Sequence, residues 1–160
     1  MKLDKDKDDS QILVIDPGTT GGWVVGGSLD DPEITLLVEP MPKSMALQVD
    51  RLRDIVSTYD IEHCYIEQGD LGRSSDHSNA AVEFARHYGW LEAALYVFGI
   101  PVSQVPVNVW QRDCGPLPKK RLARKRAIQK QMTRRFPVLK VTPRTADALA
   151  MFLWAAHNQR

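Results

Sequence analysis

The chain has 160 residues, 43% of them hydrophobic and 26% charged, which is enough to bury one core without disulfide or metal staples. No apolar run approaches the roughly 18 residues that span a bilayer, and the charged start MKLDKDKDDS carries neither the apolar stretch of a secretory signal nor the Arg- and Ser-rich pattern of a transit peptide. A net charge of +1 conceals a split, because residues 1–111 hold 8 Lys/Arg against 18 Asp/Glu while residues 112–160 hold 13 against 2, so an anionic partner is expected at the C-terminal part.

The first ten residues are almost all charged and are expected to form a disordered tail, followed by a single domain over residues 11–160. Gln11 to Ile15 is a β-branched apolar run that stops at Asp16-Pro17-Gly18, the pattern of a buried strand entering a turn. Gly21 to Gly27 gives a second strand, and Ile34 to Val38 a third after the turn Asp30-Asp31-Pro32. Three short strands in succession predict an antiparallel meander. From Ser44 the spacing of Met45, Leu47, Val49, Leu52, Ile55 and Val56 predicts a helix to about Tyr59. Cys64 to Glu67 is a short fourth strand, and Gln68 to His77 a polar loop. Ser78 is the expected N-cap of a long helix running to about residue 98, and Pro101 to Val107 a fifth strand. After a short connection come a basic helix from Lys119 to Phe136, stopped by Pro137, and a last, apolar helix from about Pro143 to His157.

Together these elements describe an α/β domain on a mixed five-stranded sheet flanked by helices, its first three strands antiparallel. That start separates it from a Rossmann fold, and neither GxGxxG nor a Walker A sequence follows the first strand. Cys64 and Cys114 are too few for a zinc site or disulfide framework; a buried reduced thiol at Cys64 and an intracellular setting are the expectation.

Three carboxylates occupy positions suited to metal chemistry. Asp16 and Glu67 each end an apolar strand, where a side chain is rigidly held yet can face a cleft. Asp147 lies in Thr145 to Ala155, the most apolar helical stretch. Singly, each has an ordinary reading: a turn residue, the end of an edge strand, a helix-start acid. Jointly they offer the oxygen donors that a hard cation such as Mg²⁺ prefers. Two such ions about 3.5–4 Å apart can activate water and stabilise the leaving oxygen of a phosphodiester. No Ser–His–Asp or Cys–His signature competes, and His63, His77, His87 and His157 show no ligand spacing.

The sequence resembles the RuvC family of Holliday junction resolvases, within the RNase H-like fold. The residues that carry the resemblance are Ile15 to Gly21, Tyr65 to Gln68, Phe84 to Glu92, Gly99 to Val102, Val107 to Trp110 and Ala146 to Ala150, in order along nearly the whole chain. The variant looks nearest to the short resolvases of bacteriophages and their chloroplast relatives. The resemblance implies a Mg²⁺-dependent homodimer, with Mn²⁺ able to substitute, that nicks opposed strands of a four-way DNA junction. It makes Asp16, Glu67 and Asp147 the metal ligands and catalytic residues, and it places dimerisation on the helix 78–98. One departure stands out. The family usually carries a fourth acid three to five positions before the last, where this chain has Thr142, Pro143 and Arg144. A related nuclease acting on other branched DNA and a junction-binding protein without hydrolysis are the alternatives.

The run Lys119 to Arg126 is the clearest electrostatic feature, and phosphate neutralisation by it would give salt-dependent DNA affinity. Its ordinary reading is a solvated helix face, since Leu122, Ala123, Ile128 and Met132 supply a buried side. Expected DNA contacts are Lys119, Lys120, Arg121 and Arg124, with Arg73 in the loop after Glu67 and Arg144 before the last helix. Arg144 reads equally as a solvent-facing residue at a helix start. In the long helix, Phe84, Tyr88, Leu91 and Leu95 form an apolar stripe of the kind that packs a core, part of which the resemblance assigns to the dimer interface. Trp110 is expected in the core below the fifth strand.

Overall fold

A computed structural model describes residues 10–27, 37–69 and 79–158. The expected tail (Ser10 apart), the turn at Asp30 to Pro32, the start of the third strand, the body of the loop after Glu67 with Arg73, and the Ser78 cap lie outside those residues. The strands are β1 (Gln11–Asp16), β2 (Gly22–Gly26), β3 (Leu37–Pro40), β4 (Ile61–Gln68) and β5 (Val102–Pro106). The helices are α1 (Met45–Thr58), α2 (Asn79–Val97), α3 (Val107–Gln111), α4 (Arg121–Arg135) and α5 (Ala146–Asn158), with one 3₁₀ turn at Arg112–Cys114. Among the described residues, no helix is long and apolar enough to cross a membrane.

The strands form one sheet in the order β3-β2-β1-β4-β5. β1 runs antiparallel to β2, and β2 to β3, as the predicted meander requires, whereas β1 pairs parallel with β4 and β4 with β5. Side chains alternate faces along a strand, and β1 is buried on both, which explains its unbroken apolar run. Ile12 and Val14 join Val105, Trp110, Ile128, Leu149 and Phe152 in a core beneath α3, α4 and α5. Leu13 and Ile15 face the opposite way, into a second core with Leu52, Ile55, Ile66, Leu91 and Leu95 under α1 and α2.

This two-faced arrangement disposes of the apolar stripe on α2. Tyr88, Leu91 and Leu95 are buried within their own chain and Phe84 packs against the same core, so the stripe is core packing. The large apolar side chains that α2 leaves exposed are Val82, Tyr96 and Val97.

Some boundaries moved for physical reasons. β4 begins at Ile61 rather than Cys64, because Ile61 is buried while Glu62 is exposed, an alternation that a purely apolar criterion overlooks. The residues Val107 to Gln111, with Val107 expected to end a strand, form the short helix α3 after extended Pro106. Two β-branched valines outweigh that turn in any local propensity. A turn closed by Thr145 N–H to the Thr142 carbonyl, 3.1 Å, precedes α5 and delays its start from Pro143 to Ala146.

Candidate functional site

Strand parity decides where the first two acids point. Asp16 continues the face of Ile12 and Val14, and Glu67 that of Tyr65, so both aim towards α3, α4 and α5 rather than α1 and α2. Register pairs Ile15 with Ile66, which leaves Asp16 and Glu67 one step further along neighbouring parallel strands. Asp147 comes from the opposite side, in the first turn of α5, where the amide ends of the helix favour negative charge. All three line one cleft of about 760 Å³. Asp16 and Asp147 are each only 8% exposed.

Burying acids together is costly, and the protonation equilibria register it. Burial, reinforced by the Asp147 charge and partly offset by Lys125, pushes Asp16 up from its ordinary 3.8 to about 7. Burial and then repulsion from Asp16 and Asp147 push Glu67 to about 8, against the opposing effects of Trp110 and Lys125. The partners are explicit. Trp110, fully buried as expected, donates its Nε1–H to Glu67 Oε2 at 3.0 Å. Lys125 Nζ lies 3.1 Å from Asp147 Oδ2.

The donor chemistry of the three acids fits a hard divalent cation, since all are carboxylates and their excess negative charge is only partly neutralised. As they stand they are not closed into a chelate. Among the described residues, no three His, Cys, Asp or Glu side chains form a group that could hold a metal ion. One oxygen of Glu67 is engaged by Trp110 and one of Asp147 by Lys125.

Lys125 is not distinguished by composition from the other cations of its basic run. The signal was available, for Arg121, Lys125, Ile128 and Met132 share one helical stripe, and the last two are core. Arg121 and Arg124 also line the cleft. Lys119 and Lys120 are exposed in the connection just before α4 and lie outside the lining; Lys119 offers its carbonyl to Arg124 Nη1 at 3.3 Å. Arg144 faces inward, its Nη2 donating to the carbonyls of Thr19, 3.1 Å, and Met41, 2.6 Å. At the position where an acid was sought, the chain therefore has a cation that ties the turn after β1 to the segment after β3.

That turn is closely fitted. Gly21 donates to the Gly18 carbonyl at 3.1 Å and accepts from Met41 N–H at 2.9 Å. A Cβ on Gly21 would run into the carbonyl oxygen of Asp16. His87, on α2, also reaches the turn. It was passed over in the sequence, although it falls on the stripe of Phe84, Leu91 and Leu95, three residues after the first and four before the second.

No protein-family model matches the chain, and no curated protein matches it in sequence. The fold itself is shared with solved structures. The RuvC structure of Thermus thermophilus superposes with a TM-score of 0.59 at 17% identity, over 93% of this chain and 95% of that one. The T. thermophilus RuvC in complex with a Holliday junction substrate superposes with a TM-score of 0.62 at 20% identity, over 92% and 95% respectively. The chain therefore has a RuvC-like, RNase H-like fold: a mixed five-stranded sheet flanked by helices.

Proposed function

We propose that this protein is a metal-dependent endodeoxyribonuclease that resolves four-way DNA junctions by paired nicking. The observation that carries the reading is the meeting of Asp16, Glu67 and Asp147 in one cleft whose rim is the cationic start of α4. The fold of a protein whose structure is known on a Holliday junction supports the choice of substrate, as do the ordered RuvC-like motifs of the sequence.

In this reading Asp16, Glu67 and Asp147 hold Mg²⁺, or Mn²⁺ in its place. The metal, when bound, supplies Lewis-acid activation of water and of the scissile phosphate. Arg121 and Arg124 line the same cleft and hold the phosphodiester backbone against it. Lys119 and Lys120 add contacts outside the cleft, and Arg73 is assigned to the junction from its place after Glu67. Lys125 neutralises Asp147 before substrate arrives. Trp110 fixes one Glu67 oxygen, so that its carboxylate keeps one orientation. Arg144 serves the turn after β1 through Thr19 and Met41.

A homodimer that pairs two such clefts accounts for two opposed nicks, and α2, with Val82, Tyr96 and Val97 exposed, is the surface we assign to it. The protein would act inside the cell, where recombination intermediates arise.

A second reading has its own support. The Lys125–Asp147 pair lowers the negative charge of the site, which favours a junction-binding protein without hydrolysis. Incubation with four-way junctions, flaps and linear duplexes in Mg²⁺ or Mn²⁺ separates the possibilities. Paired symmetrical nicks on the four-way junction alone support resolution. Cutting of flaps alone points to a different branched substrate. Tight binding with no cutting in either metal establishes the binding protein. Asp16→Asn should abolish cutting and spare junction binding, and a variant that cuts at the wild-type rate removes the proposed site.

A further inference from the structure

We propose that His87 is a positioning residue for Asp16, acting through the backbone of the turn that follows it. The imidazole bridges two parts of the cleft wall. Its Nδ1 accepts from the backbone N–H of Gly18 at 3.2 Å, two residues beyond Asp16. Its Nε2 lies 2.7 Å from Gln48 Oε1. The Gln48 side chain, only 3% exposed, uses its other end to donate to the Pro42 carbonyl at 2.7 Å. A relay of three hydrogen bonds thus ties the Asp16 turn, through α2, to α1 and the segment before it.

The relay fixes the chemistry of the ring. Gly18 N–H is a donor, so Nδ1 must carry a lone pair and the single proton must sit on Nε2, donating to Gln48 Oε1. Burial holds His87 below the ordinary imidazole range, which favours that neutral form. A second proton on Nδ1 would set a donor against a donor. With both nitrogens committed, the ring is not a free general base or metal ligand, although it lines the same cleft as the acids.

The turn needs an external tether because its own conformation is unusual. Gly18 has φ +115°, a region that L side chains avoid, and a chain with that much freedom does not define a direction for the preceding residue by itself. On one side the turn is held by Arg144 at the Thr19 carbonyl. On the other, His87 holds the Gly18 amide. Asp16 sits between a rigid strand and this turn, which Met41 and Arg144 hold beyond Gly18 and His87 holds at Gly18 itself, and that sets the direction from which its carboxylate enters the cleft. The position of an acid within a metal site must hold to a fraction of an ångström for full rate.

His87→Asn and His87→Gln divide the two hydrogen bonds. Asn Oδ1 stands as far from the backbone as His Nδ1 and can accept from Gly18, but cannot reach Gln48. Gln extends to the place of Nε2 and can donate to Gln48, but offers nothing at Nδ1. His87→Ala removes both. The first readout is hydrogen exchange of the Gly18 amide by NMR, which needs neither metal nor DNA. The second, resting on the nuclease reading, is kcat against KM on a four-way junction.

We expect Gly18 exchange and kcat near wild type in His87→Asn. In His87→Gln and His87→Ala, exchange should rise about tenfold or more and kcat fall about tenfold, with KM unchanged, the effect of losing one tether. Equal loss in Asn and Ala variants, or unchanged Gly18 exchange in the Ala variant, overturns the proposal. A shift in KM with kcat intact overturns the link to Asp16. A wild-type protein that never cuts removes the nuclease reading and leaves the Gly18 readout to decide the tether.

Discussion

Replacing Asp16 by Asn should stabilise the metal-free protein, because the acid is buried and, secondarily, faces the charge of Asp147. The elevation of Asp16 from 3.8 to about 7 means that the folded state keeps a proton which the unfolded chain has already released. Stability from this group is therefore complete below about pH 4 and is lost as pH rises through about 7, the reverse of an ion-paired carboxylate. Each pKa unit is worth about 1.4 kcal/mol, which sets a ceiling of about 4 kcal/mol on the cost at pH 8. Much of that ceiling is burial that an Asn amide shares in milder form, so a gain of about 2 kcal/mol is the working figure, or roughly 4–8 °C in Tm for a domain of this size. The assay is thermal unfolding in chelator from pH 5 to pH 8.5. Wild type should lose stability towards high pH, Asp16→Asn should lose less, and the gap should widen with pH. Adding Mg²⁺ should raise the wild type and leave the variant nearly unmoved. If Asp16→Asn is less stable than wild type at pH 8, or if wild-type stability climbs between pH 5 and pH 8, burial beside Asp147 does not strain the Asp16 carboxylate.

Trp110→Phe keeps an aromatic ring in the core and deletes the donor to Glu67, so it should cost about 1 kcal/mol in chelator and push the Glu67 titration higher still, as read by carboxyl NMR. Gly21→Ala places a methyl against the Asp16 carbonyl and should destabilise by about 1–3 kcal/mol, seen as a lower urea midpoint. Neutralising Arg121 or Arg124 to Gln should each reduce the slope of log K against log salt for junction binding by about 0.9, whereas Lys130→Gln, exposed and outside the cleft, should leave it unchanged.

What the sequence revealed and what it hid follow from the range of the interactions involved. β1 announced itself because burial on both faces removes polar residues from it. Asp16 and Glu67 could be placed at strand ends because strand periodicity is local. Asp147 needed the resemblance, since nothing near it in sequence brings α5 back over β1. The pairing of Lys125 with Asp147 was hidden among similar cations, and only its place on the Ile128–Met132 stripe sets it apart. His87 shows no ligand spacing, and its role is to accept a hydrogen bond from a turn 69 positions away. Arg144 was sought as a DNA contact, and its partners are backbone carbonyls that no side-chain pattern advertises.

The placement of Asp147 on α5 has a consequence for how the protein is made. Two of the acids are supplied early in the chain by neighbouring strands, but the third arrives with a helix near the opposite end that packs on β1 and β2. A nascent chain carries both strand acids long before it carries Asp147. The cluster of three carboxylates is therefore completed only when synthesis has passed α5 and that helix has docked on β1 and β2.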